Sequence, residues 1–193
     1  MSRPSNWNVA NALTVVRLLL VPIFGWLLLA DGGEEGLLRW AALAVFCLAA
    51  ITDRYDGHLA RRHGLVTDVG AIADPIADKA LTGVALLGLS ILGELPWWIT
   101  IVILVREWGV TVLRLWVIRH GVISASPGGK LKTVLQMTAI IAFLVPLPDA
   151  LDPLLLAVLV AAVIATVVTG VDYVVRALAL RRAGAPAAPA GRG

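Results

Sequence analysis

Asp53, Asp56, Asp74 and Asp78 stand in otherwise apolar surroundings, in the run Asp53-Arg-Tyr-Asp56-Gly57-His-Leu-Ala60-Arg61 and, eight residues on, Gly70-Ala-Ile-Ala-Asp74-Pro-Ile-Ala-Asp78. Residues three or four apart share one face of a helix, so Asp53 with Asp56, and Asp74 with Asp78, make two carboxylate pairs. An ionisable side chain inside a membrane costs at least about 2.5 to 3.5 kcal/mol on insertion scales, so clustered acids call for something cationic to neutralise them. Joined by a short basic turn and laid antiparallel, the two helices can face both pairs toward each other near one membrane surface. The resulting cage of hard oxygen ligands suits a pair of divalent ions, Mg²⁺ or Mn²⁺. Mg²⁺ commonly completes its octahedron with water and substrate phosphates, which directs the cage toward phosphate chemistry.

The residues around the acids fit the same chemistry. Gly57 and Ala60 lack bulk and let a ligand approach the helix backbone, and Arg61 is within reach of a phosphate. Gly70 allows close packing of the turn or contact with a base or ribose, Thr67 can hydrogen-bond substrate, and Pro75 is tolerated near a helix start. A second group of charges lies further on. Arg106 and Glu107 fall near the middle of an apolar run, with Arg114 seven residues past Glu107 on nearly the same face. Lys130 and Lys132 follow Pro127-Gly128-Gly129, where flexible backbone can bring them to a phosphate. Arginines and lysines beside a metal site imply an acceptor that is itself anionic. Each also has a plainer role: a Glu107–Arg114 bridge between helices, the positive-inside bias for Lys130 and Lys132, and snorkelling or ion pairing for Arg17.

Composition defines the elements that must position these groups. Of 193 residues 59% are hydrophobic and 15% charged, and the mean hydropathy is +0.88, well outside soluble averages. Crossing the ~30 Å hydrocarbon layer takes about 20 helical residues, and apolar runs occur at 11–30, 37–60, 71–92, 96–119, 131–147 and 153–178. None alternates as a strand would, so the expected fold is all-α, a polytopic membrane protein of six transmembrane helices with a short interfacial segment around Trp7. A single membrane domain spans 1–182 and an Ala/Pro/Gly-rich tail, 183–193, reads as disordered. The polar stretch Ser2 to Asn11 precedes an apolar run without a small-residue cleavage site, so that run reads as the first span rather than a cleaved signal.

Charge orients the bundle. The turns after the first, third and fifth runs carry Asp31, Glu34, Glu35, Glu94, Asp149 and Asp152 against Arg39, whereas Arg3, Arg61, Arg62, Arg119, Lys130, Lys132, Arg181, Arg182 and Arg192 lie on the other side. Basic residues favour the cytoplasm, which puts both termini and the acidic cage there, in the cell's inner membrane. The net charge of +3 is a topology signal and a match for anionic membrane lipids, with no basic, aromatic-interleaved domain for nucleic acid. Cys47 offers neither a disulfide within the chain nor a thiolate cluster, and reads as a small core residue. His58, His63 and His120 read as solvated or capping groups, and Trp97 and Trp98 as part of an outer aromatic belt.

The string D-x-x-D-G-x-x-A-R-x(8)-G-x-x-x-D-x-x-x-D is matched at every specified position, and it resembles the signature of the CDP-alcohol phosphatidyltransferases. That resemblance implies a six-helix membrane fold, a homodimer, and a site for two Mg²⁺ per subunit open to the cytoplasm. It also implies attack by an alcohol hydroxyl on the diacylglycerol-bearing phosphorus of CDP-diacylglycerol, with CMP leaving. It assigns Asp53, Asp56, Asp74 and Asp78 as metal ligands and Asp78 also as base, and relates Gly57, Arg61, Thr67 and, more weakly, Asn11 to the cytidine nucleotide; Ala60 and Gly70 belong to the same donor-binding surface. Arg106-Glu107-Trp-Gly-Val-Thr-Val-Leu-Arg114, then Gly129-Lys130-Leu-Lys132-Thr133 and Gln136, look like the phosphatidylglycerophosphate-forming branch, as does Asn8-Val-Ala-Asn11-Ala-Leu13-Thr14-Val-Val-Arg17 followed by Pro22. Ala10 departs from the branch, which often has proline there. The implied acceptor is glycerol 3-phosphate, with Arg106, Arg114, Lys130 and Lys132 on its phosphate. An inositol phosphate acceptor needs similar basic residues, and a divalent-cation transporter using the same acids is the alternative of a different class.

Overall fold

The computed structural model describes residues 9–34, 36–63, 68–117 and 127–183; within them the side chains of 9–11, 53–63, 68–75, 78, 114, 115, 117, 127–130, 149, 152 and 180–183 lie outside the description. Six α-helices make up the described chain: α1 (Val9–Leu29), α2 (Leu37–His63), α3 (Asp68–Ile91), α4 (Trp97–Val117), α5 (Pro127–Leu144) and α6 (Asp152–Ala183), with a 3₁₀ turn at Asp149–Leu151 before the last. The six apolar runs and the six helices correspond in order. The interfacial segment and the tail beyond 183 fall outside the described residues.

Helix ends follow local chemistry. At the end of α3, Gly93 takes φ of 79°, Gly93 N–H donates to Ser90 O at 3.1 Å, and Glu94 N–H donates to Leu89 O at 3.0 Å. That pair of bonds is the Schellman closure, for which a residue without Cβ is favoured. α5 stops before Pro146 and Pro148, neither of which can continue a helix. It starts earlier than expected: Pro127 is its first residue and Gly128 and Gly129 lie in its first turn, so the backbone read as flexible is helical. Proline suits a first helical position because the missing N–H has no intrahelical partner there.

Packing divides the bundle into two groups, α1 against α2 and α3, and α6 against α4 and α5, with α3·α4, α2·α5 and α3·α5 joining them. The shared core contains Phe24, Leu28, Phe46, Leu81, Leu86, Leu89, Ile99, Ile103, Ile140 and Leu144, with the Phe24 and Phe46 rings 5.4 Å apart and tilted. α1 and α3 approach so closely at Gly88 that a Cβ there would lie 2.5 Å from Leu28 Cδ2, the small-residue contact typical of membrane helices.

The surface is apolar and the interior holds polar groups. Val15, Leu19, Trp26, Trp40, Trp97, Trp98, Val105, Val112, Ile164, Val168 and Val171 are exposed, while Arg17, Arg39, Lys132, Gln136, Thr100 and Thr166 are buried. Water as solvent would penalise both halves of that arrangement, whereas lipid accommodates the first and protein–protein contacts the second. Among the described residues two helical segments, Ala12–Leu29 and Pro153–Ala179, are long and apolar enough to cross a membrane; Leu37–Thr52, Lys79–Ile91 and Leu131–Leu144 are shorter apolar stretches. The described residues are all-helical and fit a membrane protein.

One end of the bundle is tied by Arg39. Its Nη1 and Nη2 donate to the two Glu94 carboxylate oxygens at 2.8 and 2.5 Å, and Nη2 and Nε donate to Phe143 O at 2.6 Å and Leu144 O at 3.1 Å. The start of α2, the α3–α4 turn and the end of α5 therefore meet on one side, the side of the acidic turns. The signature aspartates, at the end of α2 and the start of α3, belong to the other.

Candidate active site

α2 carries Asp53, Asp56, Gly57, Ala60 and Arg61 in its last turns, and α3 carries Gly70, Asp74 and Asp78 in its first. Only residues 64–67 separate the two helices, and α2 and α3 are in contact. At about 1.5 Å of rise per residue, Asp53 and Asp56 stand about 4.5 Å apart along their axis and Asp74 and Asp78 about 6 Å, close to one turn each. The side chains of these aspartates, and of Asn11, Gly57, Ala60, Arg61 and Gly70, lie outside the described residues, as does Thr67 entirely. Thr52, the last described side chain before the signature, bonds its hydroxyl to Leu48 O and Ala49 O, each at 2.9 Å.

Beyond Asp78 the described side chains form a cavity between α3, α4 and α5. Lys79 and Thr82 come from α3, Leu104, Glu107 and Trp108 from α4, and Lys132, Thr133, Gln136 and Met137 from α5. α3 links this cavity to the acids, since Lys79 directly follows Asp78 in the helix. The polar wall is built around one carboxylate. Glu107 Oε1 accepts from Lys132 Nζ and from Arg106 Nη1 at 3.1 Å, and all three side chains are largely withdrawn from solvent. The bridge to Lys132 links α4 to α5.

Arg106 sits on the other side of that carboxylate. Its Nε donates to Thr166 O at 3.1 Å and its Nη2 to Thr169 Oγ1 at 2.9 Å, both on α6. Gly170 makes room: a Cβ there would lie 3.0 Å from Arg106 Cγ. The guanidinium thus ties α4 to α6, satisfies the Thr166 carbonyl and supports Glu107 from behind, and Arg106 is not among the residues lining the cavity. Of the four basic residues expected around an acceptor phosphate, Lys132 lines the cavity; the side chains of Arg114 and Lys130 lie outside the described residues. Glu107, read from spacing as a partner for Arg114, pairs with Arg106 and Lys132. Arg17 is fully buried, at 0% exposure, so it does not snorkel to the surface.

Sequence reasoning assigned no role to Lys79, Thr82 or Trp108, and quoted Gln136 without a role. Lys79 had an available signal, its place one residue past the last signature acid. The others are apolar-helix polar residues whose convergence depends on how three helices rotate against one another.

Residues 7–172 match the family model described as CDP-alcohol phosphatidyltransferase. The chain is 57% identical over 171 residues to a protein of Mycobacterium tuberculosis (strain H37Rv) called "Probable phosphatidylglycerophosphate synthase", an alignment covering 89% of this chain and 82% of that one. It is 37% identical over 180 residues to the "CDP-diacylglycerol--glycerol-3-phosphate 3-phosphatidyltransferase" of Bacillus subtilis (strain 168), covering 86% and 93%. To the Escherichia coli (strain K12) protein of the same name it is 35% identical over 143 residues, covering 69% and 75%.

Proposed function

The chain belongs to the CDP-alcohol phosphatidyltransferase family, and from that membership we propose that it transfers the phosphatidyl group of CDP-diacylglycerol to glycerol 3-phosphate, giving phosphatidylglycerophosphate and CMP. The acceptor hydroxyl oxygen bonds to the phosphorus that bears diacylglycerol, the bond from that phosphorus to the CMP oxygen breaks, and the hydroxyl proton passes to Asp78. Donor and acceptor are those in the relatives' names. Family membership sets aside the transport reading of the same acids.

The observation that carries the acceptor assignment is the charge of the α3–α4–α5 cavity. Lys79 and Lys132 on its wall and Arg106 behind it oppose the single carboxylate of Glu107. An excess of about two positive charges in a partly desolvated site matches a phosphate monoester, which carries about −1.5 to −2 at pH 7. Uncharged inositol or zwitterionic serine would leave that excess uncompensated. Inositol phosphate would balance it equally well, and the names of the relatives favour glycerol 3-phosphate.

Four carboxylates at one-turn spacing on adjacent helices form a donor set that fits hard divalent cations, so Asp53, Asp56, Asp74 and Asp78 would hold two Mg²⁺ per subunit. Bound there, the pair supplies charge stabilisation for both the entering and the leaving oxygen of an in-line displacement. Arg61 holds a donor phosphate, Gly57 and Ala60 leave the α2 backbone open to the nucleotide, and Asn11, Thr67 and Gly70 complete the cytidine side. Asp78 directly precedes Lys79 in α3, and that adjacency supports it as the base for an acceptor anchored in the cavity. The membrane arrangement proposed is six spans in a homodimer, with both termini and the acids at the cytoplasmic face of the cell membrane, supported by the segregation of acidic and basic turns.

The test is CMP release by purified protein in detergent with CDP-diacylglycerol and Mg²⁺, comparing glycerol 3-phosphate, inositol 1-phosphate, inositol and serine, with Asp74→Asn as control. Release confined to glycerol 3-phosphate and lost in the variant is the expected result. Release only with inositol 1-phosphate would replace the acceptor.

A further inference from the structure

Gln136 presents an unmet acceptor to the cavity. The residue is 6% exposed, and its Oε1 is buried without a hydrogen-bond partner among the described residues. It lies one helical turn beyond Lys132 on α5, so both side chains reach the same wall. Lys132 Nζ on the same helix points to Glu107 instead, and its ammonium keeps further N–H donors for an anion. Buried polar atoms in folded proteins are overwhelmingly paired, and one left open in a cavity marks a place for a ligand's complementary group.

The chemistry of that group is constrained. A side-chain amide oxygen accepts and does not donate, so its partner carries an O–H or N–H. With the lysines of the cavity matched to the phosphate, the remaining hydrogen-bonding groups of glycerol 3-phosphate are its two hydroxyls. The C1 hydroxyl attacks phosphorus and must surrender its proton to a base. An amide carbonyl is far too weakly basic to take it, so Gln136 pairs with the hydroxyl that keeps its proton. We propose that Gln136 Oε1 accepts a hydrogen bond from the C2 hydroxyl of glycerol 3-phosphate and thereby makes the enzyme select an acceptor with a hydroxyl next to the reacting carbon. This assignment rests on the acceptor reading above. It gives the cavity two complementary halves, lysines for the charged end and an amide for the carbon skeleton's middle, which together orient C1 toward the acids.

Sites built to bond a substrate hydroxyl reject analogues lacking it, because the buried partner is then left unpaired. The experiment measures kcat/KM for CMP release with glycerol 3-phosphate and with propane-1,3-diol monophosphate, which lacks only the C2 hydroxyl, in the full-length wild-type protein and in Gln136→Leu. Wild type is expected to prefer glycerol 3-phosphate about tenfold or more, and Gln136→Leu to lose that preference while using the diol phosphate within about threefold of the wild-type rate. A wild-type enzyme indifferent to the C2 hydroxyl, or a variant that keeps the full preference, overturns the assignment of Gln136. If Gln136→Leu does not fold, Gln136→Met preserves the chain length without the amide and decides by the same comparison. No release by wild type with either phosphate acceptor, but release with another alcohol, overturns the acceptor reading itself. The two failures are therefore distinguishable.

Discussion

At the scale of single residues, Glu107 shows how one half-buried carboxylate can serve two purposes. It receives Lys132 on the cavity side and Arg106 on the α6 side, so two cations that the sequence groups around one acceptor phosphate divide into a ligand-facing and a structural role. Lys132→Met is expected to raise the KM for glycerol 3-phosphate about tenfold to a hundredfold while leaving the binding of CDP-diacylglycerol unchanged, since a charge-assisted bond to an anion contributes about 1.5 to 3 kcal/mol. Arg106→Met removes bonds to Thr166 and Thr169 on α6 as well as the support of Glu107, and is expected to lower the melting temperature more than Lys132→Met does. Thermal unfolding of the two variants beside their acceptor titrations checks both statements; a larger loss of stability in Lys132→Met would reverse the assignment. For Asp78→Asn, the loss of a positioned base predicts a fall of about 10² to 10⁴ in turnover with donor binding retained, and near-normal turnover would remove Asp78 from that role.

At the scale of elements, two features decide how the helices are held. The first is the Arg39 clamp, in which one guanidinium serves Glu94 and the last carbonyls of α5. Arg39→Met leaves those carbonyls and the carboxylate without their donor, and a cost of about 2 to 4 kcal/mol is expected, read as a lower unfolding midpoint with kcat/KM changed little because the acids lie at the opposite end. The second is the α1–α3 contact at Gly88. Valine there must displace Leu28, at a cost of about 1 to 3 kcal/mol for overpacking, and Leu28→Ala in the same chain should return part of that stability; a double variant less stable than the sum of its single changes would contradict the contact. Helix identity was legible in the sequence because runs of apolar residues at membrane length leave no other regular structure available. Helix ends were less so. Pro127-Gly128-Gly129 reads as flexible backbone ahead of the apolar run, yet these residues begin α5, since proline at a first position and glycine in a packed helix are both tolerated.

At the scale of the whole molecule, exposed tryptophans and aliphatic residues around a core that also buries polar groups such as Arg17, Arg39 and Lys132 are what lipid as solvent selects. The acidic turns on one side and the basic segments on the other predict the orientation. A cysteine introduced at Glu34, which is exposed in the turn between α1 and α2, in a Cys47→Ala background, is expected to react with a membrane-impermeant maleimide in intact cells; reaction only after lysis would invert the bundle. Chelation of divalent cations should abolish CMP release, and Mg²⁺ should restore it, whereas activity persisting in excess chelator would remove the metal from the proposal.

What the sequence determined by itself is what depends on pattern along the chain: six helices, a membrane as solvent, and a carboxylate signature whose spacing is set by the helical repeat. Asp53, Asp56, Asp74 and Asp78 could be recognised because their partners are one turn away or across one short connection. What only the tertiary structure decided is what depends on rotation and approach between distant helices. Lys79, Glu107, Lys132 and Gln136 meet around one cavity, and Arg106 turns to α6 instead, because close contacts such as Gly170 against Arg106 set the angles of the faces. Linear spacing carries no information about those angles.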